Sequence, residues 1–121
     1  MTFAESDLAA LAAAVEIEVE THAPSGSVHR TIVWPVVDAG VVYVRSYKGP
    51  NGRWYREAIA DPEVALHVDG RRLPATAVPA TDPISIRACT NALRAKYRGD
   101  SSLPAMLVAA VLPTTLRIVP A

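Results

Sequence analysis

The stretch VHRTIVWPVVDAGVVYVRS, residues 28–46, decides the fold. Two runs rich in β-branched and aromatic residues, 28–37 and 41–46, flank Asp38-Ala39-Gly40. Such side chains pack well on a pleated surface. A short connection carrying Asp and Gly returns the chain antiparallel. Residues 28–37 are therefore expected to form one strand and 41–46 the next. Pro35 removes a backbone donor, so it marks an edge or a bulge in the first of them.

Upstream, VEIEVE at 15–20 alternates strictly. That places three aliphatics on one face of a strand and Glu16, Glu18 and Glu20 on the other, a solvated or partner-facing surface. Pro24-Ser25-Gly26-Ser27 is a turn, and Ser6-Asp7 is expected to cap a short helix reaching about residue 14. Downstream, residues 47–52 are broken by two glycines and a proline into a loop. A short helix is expected over 53–60, stopped by Asp61-Pro62, then a strand over 63–68, a tight turn at Asp69-Gly70 and a strand over 71–80 weakened by Pro74. Asp82-Pro83 has the form of an N-cap followed by proline at the first helical position. That helix should run to about residue 97 or 98 and stop at Gly99, with Ile86, Cys89, Thr90, Leu93 and Tyr97 toward the core. One or two helical turns are expected in 103–112, and a last strand in 114–119. Six strands joined by short turns pair antiparallel. Closure would remove their exposed edges, so the fold class is mainly β, a six-stranded antiparallel β-barrel with peripheral helices.

The chain has 121 residues, which suits a single domain over 1–121. Half of it is hydrophobic, and the mean hydropathy is +0.19, which excludes global disorder. Twelve Lys and Arg balance twelve Asp and Glu. Bulk charge would not hold duplex DNA or an anionic membrane, so neither nucleic acid nor membrane is an expected partner. The one cysteine, Cys89, makes no intramolecular disulfide and no zinc finger, and a cytoplasmic setting is expected. The N-terminal residues carry acids where a signal peptide would carry bases. The longest apolar run, MLVAAVL at 106–112, is far short of the roughly 20 residues that span a bilayer.

Chemistry concentrates in RSYKGPNGRWYR, residues 45–56. Lys and Arg give charge-assisted hydrogen bonds to phosphate oxygens. Glycines let backbone N–H groups approach an anion, and the loop feeds a helix N-terminus. Aromatic side chains could border a planar ring. The same stretch also reads as a solvated loop with Trp54 and Tyr55 packed as anchors. His22, His29 and His67 stand on different strands with no ligating spacing, so no metal is expected. Cys89 reads as a small core residue. No catalytic side chain is legible.

The succession HRTIVWPVVDAGVVYVRSYKGPNGRWYREAIADPEVALHV resembles the core of the flavin-binding split-barrel superfamily. Its members include pyridoxamine 5'-phosphate oxidases and deazaflavin-dependent nitroreductases. Three features carry the likeness: Arg30 early in the second strand; Arg45-Ser46 followed by Lys48 and Arg53; and a short helix leading through Asp61-Pro62 into the next strand. The segment from Lys48 to Tyr55 is similar to that of a small subfamily. The resemblance implies a six-stranded split barrel, a homodimer, and FMN or a deazaflavin at the dimer interface. It places Arg30, Lys48 and Arg53 at the cofactor phosphate, and Arg45 and Ser46 near the ribityl chain or the pyrimidine end. Thr31 to Trp34 would flank the isoalloxazine ring, while Trp54 and Tyr55 would cover the cofactor or fix the loop. The chain is shorter than the oxidases and lacks their C-terminal substrate segment, which speaks against pyridoxamine phosphate oxidation.

Two functions follow. One is a small flavin- or deazaflavin-dependent oxidoreductase in which the cofactor carries the hydride. The other is a non-catalytic carrier of a flavin, a haem or a small apolar ligand, or a cofactor-free dimeric scaffold on the same barrel. A homodimer is also expected from the residues themselves, because 106–112 and the alternating strands offer surplus apolar surface.

Overall fold

A computed structural model describes residues 2–121. Its strands are β1 (Ile17–His22), β2 (Val28–Val33), β3 (Val36–Asp38), β4 (Val41–Val44), β5 (Glu63–Val68), β6 (Arg71–Pro79) and β7 (Leu116–Pro120). The helices are α1 (Glu5–Ala13), α2 (Arg53–Ala60) and α3 (Pro83–Lys96). All seven strands belong to one antiparallel sheet in the order β2-β1-β5-β6-β7-β4-β3. The two edges, β2 and β3, are neighbours in the chain, separated only by Trp34 and Pro35. A linker that short spans at most about 11 Å from Val33 to Val36. The sheet must therefore curl until its edges meet, and the result is a half-barrel.

The strand expected over 28–37 is thus two strands, and the sheet has seven strands where six were expected. Pro35 offers no N–H to a ladder, so the chain leaves one edge there and joins the other. The β3–β4 connection turns on Ala39 and Gly40, and the β5–β6 connection on Asp69 and Gly70, all at positive φ. That is the geometry that matches the twist of paired strands. The bounds expected for α2 and β5 are those observed. Asp82 caps α3, its Oδ2 accepting from the Ser85 backbone N–H at 3.0 Å. Cys89, Leu93 and Tyr97 are buried, while Ile86 and Thr90 are half-buried.

Several local expectations are corrected. α1 begins at Glu5 with no side-chain cap, and Ser6 and Asp7 lie in its first turn. Asp7 instead accepts a hydrogen bond from Arg71 at 2.6 Å. β1 begins at Ile17, leaving Val15 exposed. The apolar run 106–112 folds into short turns that bury Met106 and Val111 and leave Val108, Ala109 and Ala110 outside, so less apolar surface is left over than its composition suggests. Among the described residues, no helix is long and apolar enough to cross a membrane.

The core has two parts. Ile17, Val19, Val42, Val44, Leu66 and Ile118 fill the concave side of the sheet under α1 and α2. Val36, Tyr43, Cys89, Leu93, Tyr97 and Met106 pack between α3 and the β3–β4 edge.

The row of three carboxylates is not uniformly solvated. Glu16 is exposed, and Glu18 is half-buried and paired with Arg30 at 2.7 Å. Glu20 is buried. It accepts from Arg72 through Nε at 3.0 Å and Nη2 at 2.7 Å, and lies 2.9 Å from His67 Nε2. The neighbouring strands β5 and β6 supply these partners, which alternation along one strand cannot show. The Arg72 guanidinium holds the Glu20 carboxyl at about 2, against an ordinary 4.5. A depressed carboxyl contributes stability that is fully present above 4.5 and is lost as the pH falls toward 2. Glu20→Gln should cost on the order of 1–3 kcal/mol at pH 7. It should also flatten the acid limb of a stability-against-pH curve measured by urea denaturation.

Candidate functional site

A cavity of about 630 Å³ opens where the two sheet edges meet. One wall is β2 and the corner after it, with Thr31, Ile32, Val33 and Trp34. The opposite wall follows β4, with Arg45 through Lys48 and then Gly52, Arg53 and Trp54 at the start of α2. Glu16, Ser102 and Met106 complete it. The fold thus gathers seven of the nine expected residues: Thr31, Trp34, Arg45, Ser46, Lys48, Arg53 and Trp54. They meet because β3 turns directly into β4 while β2 ends at the same corner.

Arg45 is 2% exposed. Its Nε donates to Thr115 Oγ1 at 2.9 Å and its Nη1 to the Met106 carbonyl at 3.0 Å. Its Nη2 donates to the Ile86 carbonyl at 2.9 Å and to Thr90 Oγ1 at 2.8 Å. Every partner is neutral, and burial pushes the guanidinium below its ordinary pKa. Arg45 lies in the cavity wall with most of its donors spent on tying β4 to α3, to the 3-10 turn Leu103–Met106 and to the start of β7. Ser46 is equally engaged: its N–H donates to Thr114 Oγ1 at 3.0 Å and its hydroxyl to the Gly49 carbonyl at 2.7 Å. A Cβ at Gly52 would stand 2.5 Å from Ser46 Oγ, so any side chain there would push that hydroxyl off the Gly49 carbonyl.

Lys48 and Arg53 are different. Both are exposed, and neither takes part in a salt bridge among the described residues. Arg53 Nη2 comes only to 3.5 Å from Thr31 Oγ1. Arg53 opens α2, whose cap, Gly52, offers no side chain to its free N–H groups. Two cations without a salt bridge among the described residues, together with the helix donors that no side chain caps, make this end of the cavity electropositive. At the other wall the Trp34 ring stacks on Tyr97, with centroids 3.9 Å apart and planes 8° apart.

Two expected residues lie outside this arrangement. Arg30 is on the opposite face of β2 from Thr31, as alternation requires, and faces a second cavity of about 570 Å³ with Glu18, His67 and Asp69. Tyr55 packs against the main core, with its hydroxyl 3.5 Å from the Pro113 carbonyl. Trp54 is buried in the same core, meets Tyr55 edge-on at 6.3 Å and still lines the cavity. The anchor reading of this aromatic pair therefore describes much of its packing.

Other site features had no sequence signal. Ser102 and Met106 are remote in the chain, and the hydrogen bond from Arg45 to Met106 brings that segment in. Glu57 of α2 is buried; it accepts from Thr21 Oγ1 at 2.7 Å and lies 2.9 Å from His29 Nδ1. Burial pushes Glu57 upward, but these hydrogen bonds outweigh it and hold the carboxyl below its ordinary value. Burial pushes the Cys89 thiol up to about 11. Among the described residues, no group of three or more His, Cys, Asp or Glu could hold a metal ion.

Residues 7–118 match the family model described as uncharacterised proteins conserved in bacteria, DUF2255. The chain belongs to that family. No curated protein matches it. Among solved structures, it is similar to the conserved hypothetical protein Rv2991 from Mycobacterium tuberculosis, with a TM-score of 0.76 and 17% identity over 99% of this chain and 82% of that one. It is similar to an F420 reductase, with a TM-score of 0.65 and 18% identity over 93% and 91% of the two chains. It is also similar to HutZ, the heme storage protein from Vibrio cholerae, with a TM-score of 0.68 and 12% identity over 100% and 92%. At these identities the likeness is one of fold, and the fold is the pyridoxamine 5'-phosphate oxidase-like split barrel.

The division among the cations is testable. Arg45→Met should lower stability by about 3 kcal/mol or more, because two buried carbonyls and two hydroxyls lose their donor. Lys48→Ala and Arg53→Ala should stay within about 0.5 kcal/mol of the parent in the same denaturation experiment. A parent-like midpoint for Arg45→Met would refute its clamping role in this DUF2255 protein.

Proposed function

We propose that this protein is a small flavin- or deazaflavin-dependent oxidoreductase whose phosphate-bearing cofactor sits in the corner cavity at a homodimer interface. One observation carries the reading: two cations that form no salt bridge among the described residues and an uncapped helix N-terminus line one cavity with an aromatic wall. Lys48, Arg53 and the first N–H groups of α2 suit a phosphate. Thr31, Val33 and Trp34 suit a flat ring. The volume lies in the range of cofactor pockets. When bound, such a cofactor supplies hydride transfer, which needs no dedicated acid or base from the protein. In this arrangement Arg45 and Ser46 stiffen the wall, and Arg45 adds a fixed positive field from inside it. Ile32 and Tyr47 are 60% and 64% exposed at the cavity mouth, an apolar and aromatic rim that a second copy would cover. The similarity to an F420 reductase supports the redox reading, and a cytoplasmic location would give it reduced nicotinamide or deazaflavin donors. The similarity to a heme storage protein favours a second reading, a carrier that binds without turnover.

Titration with FMN, a deazaflavin cofactor and haem separates the two. Saturable binding of FMN or deazaflavin is expected, followed by reduction with a nicotinamide donor. Lys48→Ala and Arg53→Ala should each weaken binding about tenfold. Haem binding alone would replace the oxidoreductase by the carrier. Unchanged flavin affinity in the double variant would remove the phosphate site.

A further inference from the structure

We propose that Tyr97 is a positioning residue: stacked behind Trp34, it presents the indole to the cavity as a platform for a flat, electron-poor aromatic ring. The Trp34 and Tyr97 rings lie nearly parallel with centroids 3.9 Å apart. Aromatic pairs ordinarily sit offset or edge-on at about 4.5–7 Å, because the negative π-faces of two electron-rich rings repel. Here the stack is held by contacts outside the rings. The Tyr97 hydroxyl donates to the Val15 carbonyl at 2.7 Å and lies 3.3 Å from the Pro35 carbonyl. Lys96 Nζ donates to the Pro35 carbonyl at 2.6 Å and to the Leu11 carbonyl at 3.2 Å. The same ammonium lies 5.4 Å from the Tyr97 ring centroid, where a cation draws on the π-electrons. Pro35 fixes its own φ and restricts the backbone of Trp34 before it. Tyr97 is buried and stands outside the cavity wall, whereas Trp34 is half-buried and part of it. The indole is thus set in place before any ligand arrives, and a ligand need not order it.

An electron-rich indole backed by a phenol gains most from a ring that withdraws electrons. An oxidised isoalloxazine or deazaflavin is such a ring, whereas a sugar or a lipid chain is not. This inference rests on the cavity being the cofactor site proposed above, but it uses the ring and not the phosphate.

Lumiflavin, the isoalloxazine ring without a phosphate tail, is therefore the probe, compared with FMN. Lumiflavin should bind the parent protein with quenched fluorescence and a long-wavelength charge-transfer shoulder. Trp34→Leu should abolish the shoulder and weaken binding about tenfold, the scale of a lost aromatic stack. Tyr97→Phe should reduce the shoulder only in part, because the ring and the Lys96 contact to the Pro35 carbonyl remain while the hydroxyl contacts to Val15 and Pro35 are lost. Tyr97→Leu should reduce it, with circular dichroism confirming the fold. Lys96→Met, which removes one pin of the corner and leaves both rings, should reduce it too if Tyr97→Leu does not fold. A shoulder that follows Trp54→Leu instead of Trp34→Leu overturns the platform, as does unchanged lumiflavin affinity in Trp34→Leu. FMN bound without lumiflavin leaves the phosphate site standing and removes the platform. Equal binding of both, with the shoulder intact, does the reverse. Binding of neither overturns both.

Discussion

The two edge strands of the sheet are consecutive in the chain and only Trp34 and Pro35 separate them. That covalent tether forces the curl. A seven-stranded antiparallel sheet could otherwise lie open with two exposed edges. Here the edges must meet, the concave face becomes an interior, and a corner is left where no ladder runs. The cavity occupies that corner. Lys96 and Tyr97, at the end of α3, hold the tether through the Pro35 carbonyl and reach the end of α1 and the approach to β1 as well.

Arg45 is the second organising contact. Burying a guanidinium without a carboxylate is costly unless its donors are satisfied. Four hydrogen bonds to three separate segments meet that need and leave the irregular stretch 99–115 little freedom near the cavity. Cations close together in sequence thereby acquire different roles. Arg45 builds the wall, while Lys48 and Arg53 remain available to an anion. The Gly52 close approach to Ser46 belongs to the same design, since it lets the loop enter α2 with its N–H groups uncovered.

Carboxylates divide in the same way. Glu20 and Glu57 look like surface acids in the sequence, one on an alternating strand and one on a short amphipathic helix. In the fold each is buried and held charged by partners from other elements: Arg72 and His67 for the first, Thr21 and His29 for the second. Position along one strand or helix reports which face a side chain takes. It does not report what crosses that face from elsewhere.

Local chemistry in the sequence was enough for most elements. Alternation, Asp-Gly turns, the Asp82-Pro83 cap and the Asp61-Pro62 stop act over a few residues, so α2, β5 and the start of α3 could be read directly. The 45–56 segment also announced its concentration of cations, glycines and aromatics, and most of the cavity wall lies in it or in residues 31–34. Pro35 was legible as an interruption, but not as a change of sheet edge, because that depends on which strands pair at long range. The separation of Arg45 from Lys48 and Arg53, the placing of Arg30 and Tyr55 away from the cavity, and the stack of Tyr97 on Trp34 were likewise decided only by the tertiary structure. Each depends on side chains that are tens of residues apart in the chain and meet only when the sheet curls.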